Sequence, residues 1–179
     1  ATQNPIEQEG TYMLPEAELD RFLLKLLVQY PSREEEKNII NKMCSDSTSR
    51  SIPSVVLDTE RLRFLKECSE SVHVDEKITE YIVSITAATR PLADRKKANR
   101  DDLYRYISFG ASPRASLALY RCARIQALFG GRDYVIPEDI KAISAPVLRH
   151  RLVLSYEAEA DGMDADAVIS RILAFVPLP

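Results

Sequence analysis

Glycine is scarce in this 179-residue chain, and none of its five glycines precedes a lysine. A phosphate-binding P-loop has the pattern G-x-x-x-x-G-K-[ST], because glycine amides surround the phosphates and the lysine neutralises them. The sequence also has no hydrophobic strand that ends in paired acids and could hold Mg²⁺. These absences exclude a complete nucleotide-hydrolysing unit within this chain.

Cysteine and histidine are sparse as well. Cys44, Cys68 and Cys122 are widely spaced with no C-x-x-C pair, and His73 lies far from His150. Zinc sites and disulfide frameworks need closely spaced ligands or paired cysteines. We therefore predict no metal site and reduced thiols, which are typical of a cytoplasmic protein.

The chain lacks a long apolar run and an excess of positive charge. No segment approaches the roughly 18 apolar residues of a membrane span, and the polar opening predicts no signal peptide. The net charge of −3 disfavours general nucleic-acid binding. The segment 90–106 is locally basic with interleaved tyrosines, a pattern of RNA or phosphate contact, but its aspartates favour a solvated loop.

What the sequence does contain is a series of helix starts. Each start precedes apolar residues at helical spacing, and the starting residues are Ser32 with Glu35, Asp58, Asp75, Ser112 with Pro113, Pro137 and Ala165. A serine-rich loop with one proline is predicted over 45–57. The pattern predicts a mainly α fold.

The first thirty residues differ from the rest. The stretch "LPEAELDRF" predicts a short helix, and "LLKLLVQY", Leu23 to Tyr30, is typical of a buried strand in a parallel sheet. Nothing later in the sequence supplies partner strands. We therefore expect further chain upstream. We also expect residues 1–30 to be irregular, or ordered only by packing on the later helices or on another copy of the chain.

One cation lies where helix electrostatics disfavour it. In "GASPRASL", Ser112 caps a helix, Pro113 is its first residue, and Arg114 follows at the positive end of the helix dipole. That placement costs a few tenths to about 1 kcal/mol. A helix N-terminus attracts phosphate groups, so a phosphate ligand would remove the repulsion. The residues alone leave two interpretations of Arg114 open: a cation that serves a phosphate ligand, or a solvent-directed arginine that is tolerated near a helix cap.

Three motifs together resemble the MoxR family of AAA+ ATPases in order and separation: "ATQNP" at 1–5, "LPEAELDRF" at 14–22 and "GASPRA" at 110–115. The resemblance implies a helical-bundle lid domain over 32–179. A short α/β remnant of the ATPase core would precede it over 1–31, comprising the sensor 1 region, the arginine-finger helix and the last strand.

The resemblance also implies roles for single residues. Arg21 would be the arginine finger that enters the nucleotide site of a neighbouring subunit, and Asp20 would either brace the finger or lie at the subunit contact. Arg114 would be sensor 2, a lid arginine that reaches the ATP of its own subunit. Asn4 would orient the attacking water or contact the γ-phosphate. Read without the family, Asn4 indicates a turn and Arg21 a surface arginine near a helix end.

The function implied by the resemblance belongs to a longer protein. A MoxR-type ATPase would use ATP and Mg²⁺ to remodel or mature partner proteins, including proteins with von Willebrand factor A domains, and would assemble into a ring, expected to be a hexamer. This chain alone is expected to be inactive and to bind no nucleotide tightly. The alternative is a stand-alone helical interaction module without a nucleotide role, and the acidic balance disfavours a DNA-handling relative.

Overall fold

The computed structural model describes residues 1–2, 14–44, 54, 56–91 and 102–179. They fall into two compact units, one of Ala1–Lys25 with Cys68–Pro179 and one of Leu26–Glu67. The boundary predicted at residue 31 lies inside the second unit. Compactness does not identify a core remnant or a lid, so that functional division stays a prediction.

Helices account for most of the described chain, which confirms the predicted mainly α fold. The α-helices are α1 (Glu16–Leu19), α2 (Arg33–Cys44), α3 (Thr59–Ser71), α4 (Glu76–Ala88), α5 (Pro113–Phe129), α6 (Pro137–Leu148), α7 (Tyr156–Ala160) and α8 (Ala165–Phe175). A 3₁₀-helix covers Asp102–Tyr106 and leads directly into the strand β1 (Ile107–Phe109).

The core of the first unit lies among α4, α5, α6 and α8. Its fully buried side chains are mainly aliphatic and recur at helical spacing, as Ile82 and Ile85 do on α4. Side-chain caps fix where these helices begin: the Asp75 carboxylate accepts from the Lys77 amide at 2.9 Å, and the Asp164 carboxylate accepts from the Ala167 amide at 2.7 Å. The local capping signals therefore predicted these helix starts correctly.

A two-stranded antiparallel sheet, which the sequence did not predict, joins two distant segments. The strand β1 pairs with β2 (Val153–Leu154), and Ile107 lies opposite Leu154. Strands of two or three residues are too short for an alternating pattern to stand out. The short helix α7 escaped prediction for the same reason.

In the second unit, the predicted starts of α2 and α3 are both present. Ser32 and Glu35 form a reciprocal capping box: the Ser32 amide donates to the Glu35 carboxylate at 2.8 Å, and the Glu35 amide donates to the Ser32 hydroxyl at 3.4 Å. Asp58 accepts from the Arg61 amide at 2.7 Å. Most of the serine-rich loop predicted over 45–57 lies outside the described residues.

The strand predicted at Leu23–Tyr30 is not formed. Residues 21–32 contain turn and irregular backbone only, and among the described residues the carbonyls of Phe22, Leu23 and Lys25 accept bonds from side chains that follow α6. The sequence supplies no partner strand, so side chains satisfy these backbone groups instead. This agrees with the expectation that the segment is irregular or ordered only by packing.

Replacing Gly110 by alanine is expected to destabilise the first unit by about 3 kcal/mol, a severe overpacking effect. A Cβ at this position would lie 2.4 Å from the Thr89 carbonyl oxygen and 2.7 Å from Arg90 Cα, and backbone atoms cannot give way cheaply. In the matched control Gly162→Ala, the added Cβ meets no atom within 4 Å, but the residue has a φ of +65°. An alanine in this left-handed conformation lowers the free energy of unfolding by about 1 kcal/mol. Urea denaturation measures both, and equal losses would contradict the steric account.

Candidate functional site

The Asp20 carboxylate accepts hydrogen bonds from three residues in two distant parts of the chain. It follows α1 as the C-terminal capping residue. Its carboxylate accepts a hydrogen bond from the Ser112 hydroxyl at 2.9 Å, another from Arg114 Nη1 at 3.3 Å and a third from Arg151 Nε at 3.2 Å. The Asp20 side chain is only 18% exposed, so these bonds replace much of its hydration.

The N-terminus of α5 is built around this carboxylate. Ser112 is the N-cap residue, and its hydroxyl accepts from the Arg114 amide at 3.2 Å while it donates to Asp20. A negative charge beside a helix N-terminus is favourable, so Asp20 offsets both the helix dipole and part of the Arg114 charge. Arg114 remains 56% exposed and keeps donors available for a ligand.

Three consecutive residues after α6 bind the backbone that follows Asp20. Arg149 Nη1 donates to the Lys25 carbonyl at 3.2 Å, and His150 Nε2 lies 3.0 Å from the Phe22 carbonyl oxygen. Burial lowers the pKa of the His150 imidazole, so the neutral ring donates from Nε2. Arg151 donates to the carbonyls of Phe22 and Leu23 in the same segment, and its side chain is only 2% exposed.

A groove of about 430 Å³ opens between this segment and α5. It is lined by Asp20, Arg21, Leu23, Arg114, Leu117, Ala118, Arg121 and Arg151. The lining thus holds four arginines and one carboxylate, and three of the arginines, Arg21, Arg114 and Arg121, are exposed. Such an excess of planar, permanently charged donors suits phosphate or carboxylate oxygens.

The groove brings together two of the three site residues predicted from the sequence. Arg21 and Arg114 both line it, whereas Asn4 lies outside the described residues. Arg121 was not predicted as a site residue, although it lies two helical turns after Arg114 on the same face of α5. Arg151 was not predicted either, because cations after a helix C-terminus are ordinary surface residues.

The described residues contain no cluster of histidine, cysteine, aspartate and glutamate side chains that could hold a metal ion. Within the same residues, no helix has the length and apolarity needed to cross a membrane. Of the basic segment 90–106, residues 92–101 lie outside the described part, and Arg90 donates to the Ala111 carbonyl at 3.0 Å.

Comparisons with known proteins agree with the motifs. Residues 94–172 match the family described as the AAA lid domain, and residues 1–24 match the ATPase family associated with various cellular activities. The chain is 45% identical over its whole length to Chaperone MoxR1 of Mycobacterium tuberculosis, of which it covers 46%. It is 31% identical to Protein MoxR of Paracoccus denitrificans, of which it covers 55%.

A solved structure has the same architecture. The crystal structure of a candidate ATPase from Cytophaga hutchinsonii superposes with a TM-score of 0.87 at 35% identity, and the match covers 99% of this chain and 52% of that one. The chain thus spans about half the length of the relatives that it matches. It belongs to the MoxR family of AAA+ ATPases and corresponds to the C-terminal part of the family's longer chains.

Proposed function

We propose that this chain contributes two arginines, Arg21 and Arg114, to one nucleotide site in a ring of MoxR-type ATPase subunits, and that this site belongs to the neighbouring subunit. The observation that carries the proposal is that both side chains line one groove. The activity is proposed for the longer family protein that contains this sequence, which we call the intact protein.

The groove changes the role expected for Arg114. By resemblance, Arg21 serves a neighbour's nucleotide and Arg114 serves its own. Asp20 precedes Arg21 directly and bonds Arg114 at 3.3 Å, so the two arginines are held on one surface. Their place in one groove supports the proposal that both meet the same ligand, and we therefore extend the trans role proposed for Arg21 to Arg114.

The donors of the groove fit a polyphosphate. ATP supplies the phosphoryl group whose transfer to water spreads negative charge over the phosphate oxygens. Arg21 and Arg114 keep their charge at any physiological pH and present N–H groups to those oxygens. Asp20, the one carboxylate among the described lining residues, is engaged by Ser112 and by two guanidinium groups. Ligands for Mg²⁺ would therefore come from other parts of the intact protein.

The wider function follows from the family. We propose that the intact protein forms a ring, as a hexamer, and couples ATP hydrolysis to chaperone-like remodelling or maturation of partner proteins, with von Willebrand factor A domain proteins as candidate partners. A relative at 45% identity is itself named a chaperone. Asn4 is proposed to orient the attacking water at the end of the sensor 1 strand.

Tripolyphosphate offers a test on this chain alone. We expect it to shift the backbone amide NMR signals of α5 from Arg114 to Arg121, and Arg121→Ala to weaken that binding about fivefold, because one partly exposed cation contributes about 1 kcal/mol. The matched control Arg171→Ala removes the same charge from α8, outside the groove. An equal effect of both variants would show charge attraction without a site.

A further inference from the structure

Arg151 uses every donor that its side chain has. A guanidinium carries five N–H groups. Its Nε donates to the Asp20 carboxylate, Nη1 donates to the carbonyls of Leu23 and Val147, and Nη2 donates to the carbonyls of Asp20 and Phe22. With the side chain 2% exposed, all five bonds form in an environment nearly free of water.

Four of the five bonds enclose the residue proposed as the arginine finger. Arg151 binds the Asp20 carbonyl, whose peptide group precedes Arg21, the carbonyls of Phe22 and Leu23, which follow Arg21, and the Asp20 carboxylate. This backbone belongs to no strand and has left α1. The amides of Arg21 and Phe22 donate to the Glu18 and Leu19 carbonyls at 3.0 Å. Arg151 is the side chain that binds three of the carbonyls of this backbone.

We infer that Arg151 is a positioning residue that holds the backbone of Arg21 so that its side chain points into the groove. The inference rests on the proposed function, because it gives Arg151 a role through Arg21. The fifth bond, to the Val147 carbonyl, ties this arrangement to the last turn of α6.

Only arginine can fill this position. The acceptors around Arg151 are spread over the three nitrogens of its planar guanidinium. Lysine has three donors on a single nitrogen and cannot reach all of these acceptors. A shorter neutral side chain would leave several buried carbonyls without a partner. Burial lowers the pKa of the Arg151 guanidinium, and the nearby Asp20 carboxylate opposes this effect. The ion pair with Asp20 therefore helps the buried guanidinium to stay charged.

The test compares two arginines at opposite ends of α6. In the intact protein we expect Arg151→Lys to lower kcat for ATP hydrolysis at least tenfold, with KM within twofold, and to accelerate hydrogen exchange of the amides at 21–25. The matched control is Arg132→Lys. Arg132 binds the buried Asp139 at 2.6 and 2.7 Å in the first turn of α6 and does not line the groove. We therefore expect the Arg132→Lys variant to keep kcat within twofold of wild type.

The outcomes separate the two ideas. If Arg21→Ala lowers kcat and Arg151→Lys behaves like Arg132→Lys, the positioning role is wrong while the finger stands. If Arg21→Ala leaves kcat unchanged, the proposed function itself fails. Arg151→Gln, which buries no lysine charge, replaces Arg151→Lys in the same comparison if the lysine variant does not fold.

Discussion

Replacing Arg21 by alanine is expected to lower kcat for ATP hydrolysis by the intact protein about a thousandfold, the lower end of the effect of an arginine finger. Nucleotide affinity should stay within about twofold, because a finger stabilises charge that develops in the transition state more than charge in the bound substrate. Steady-state ATPase rates and equilibrium binding of a fluorescent nucleotide measure the two quantities separately.

A matched control and a mixing experiment sharpen this prediction. Arg61→Ala removes an exposed arginine from α3, outside the groove, and should leave kcat unchanged. Mixing Arg21→Ala subunits with subunits that lack the P-loop lysine should recover about a quarter of the wild-type rate at random assembly, because one interface in four is intact in a heterologous ring. Loss of nucleotide binding by an isolated Arg21→Ala subunit would contradict the finger assignment.

The second large effect is expected for Arg114→Ala, with kcat lowered about a hundredfold by the loss of one preorganised donor. Stability should change little, because the Arg114–Asp20 ion pair is partly exposed at 56% and 18% and contributes below about 1 kcal/mol. Thermal unfolding of the chain tests the predicted stability, and ATPase rates of the intact protein test the predicted loss of kcat. A large fall in stability with proportional loss of activity would make Arg114 a structural residue.

The sequence predicted the parts of the fold that depend on local interactions. Ser32, Asp58, Asp75 and Ser112 cap helices where expected, because a cap bonds an amide two or three residues away. The pairing of β1 with β2 joins residues almost fifty positions apart, and two short strands leave no periodic signal. Such long-range pairings depend on the packed helices.

Two residues that line the groove, Arg21 and Arg114, were predicted from the sequence as site residues, but their position in one groove was not predicted. Motif resemblance identified Arg21 and Arg114, yet nothing local indicated that both line one groove with Asp20 between them. Arg151 contacts Asp20, which lies 131 positions away in the sequence. In the sequence, Arg151 and the cations beside it look like ordinary surface residues that follow a helix. Burial of that guanidinium is a property of the fold, so only the structure reveals it.

A single mixing experiment tests the central claim, that Arg21 and Arg114 serve the same nucleotide of a neighbouring subunit. Equal amounts of intact Arg21→Ala and Arg114→Ala subunits are assembled, and the ATPase rate is measured. If both residues act on the neighbour, every interface lacks one arginine, and the rate stays at the level of the two parent variants. If Arg114 serves its own subunit, about a quarter of the wild-type rate returns at random assembly, and the shared site is contradicted.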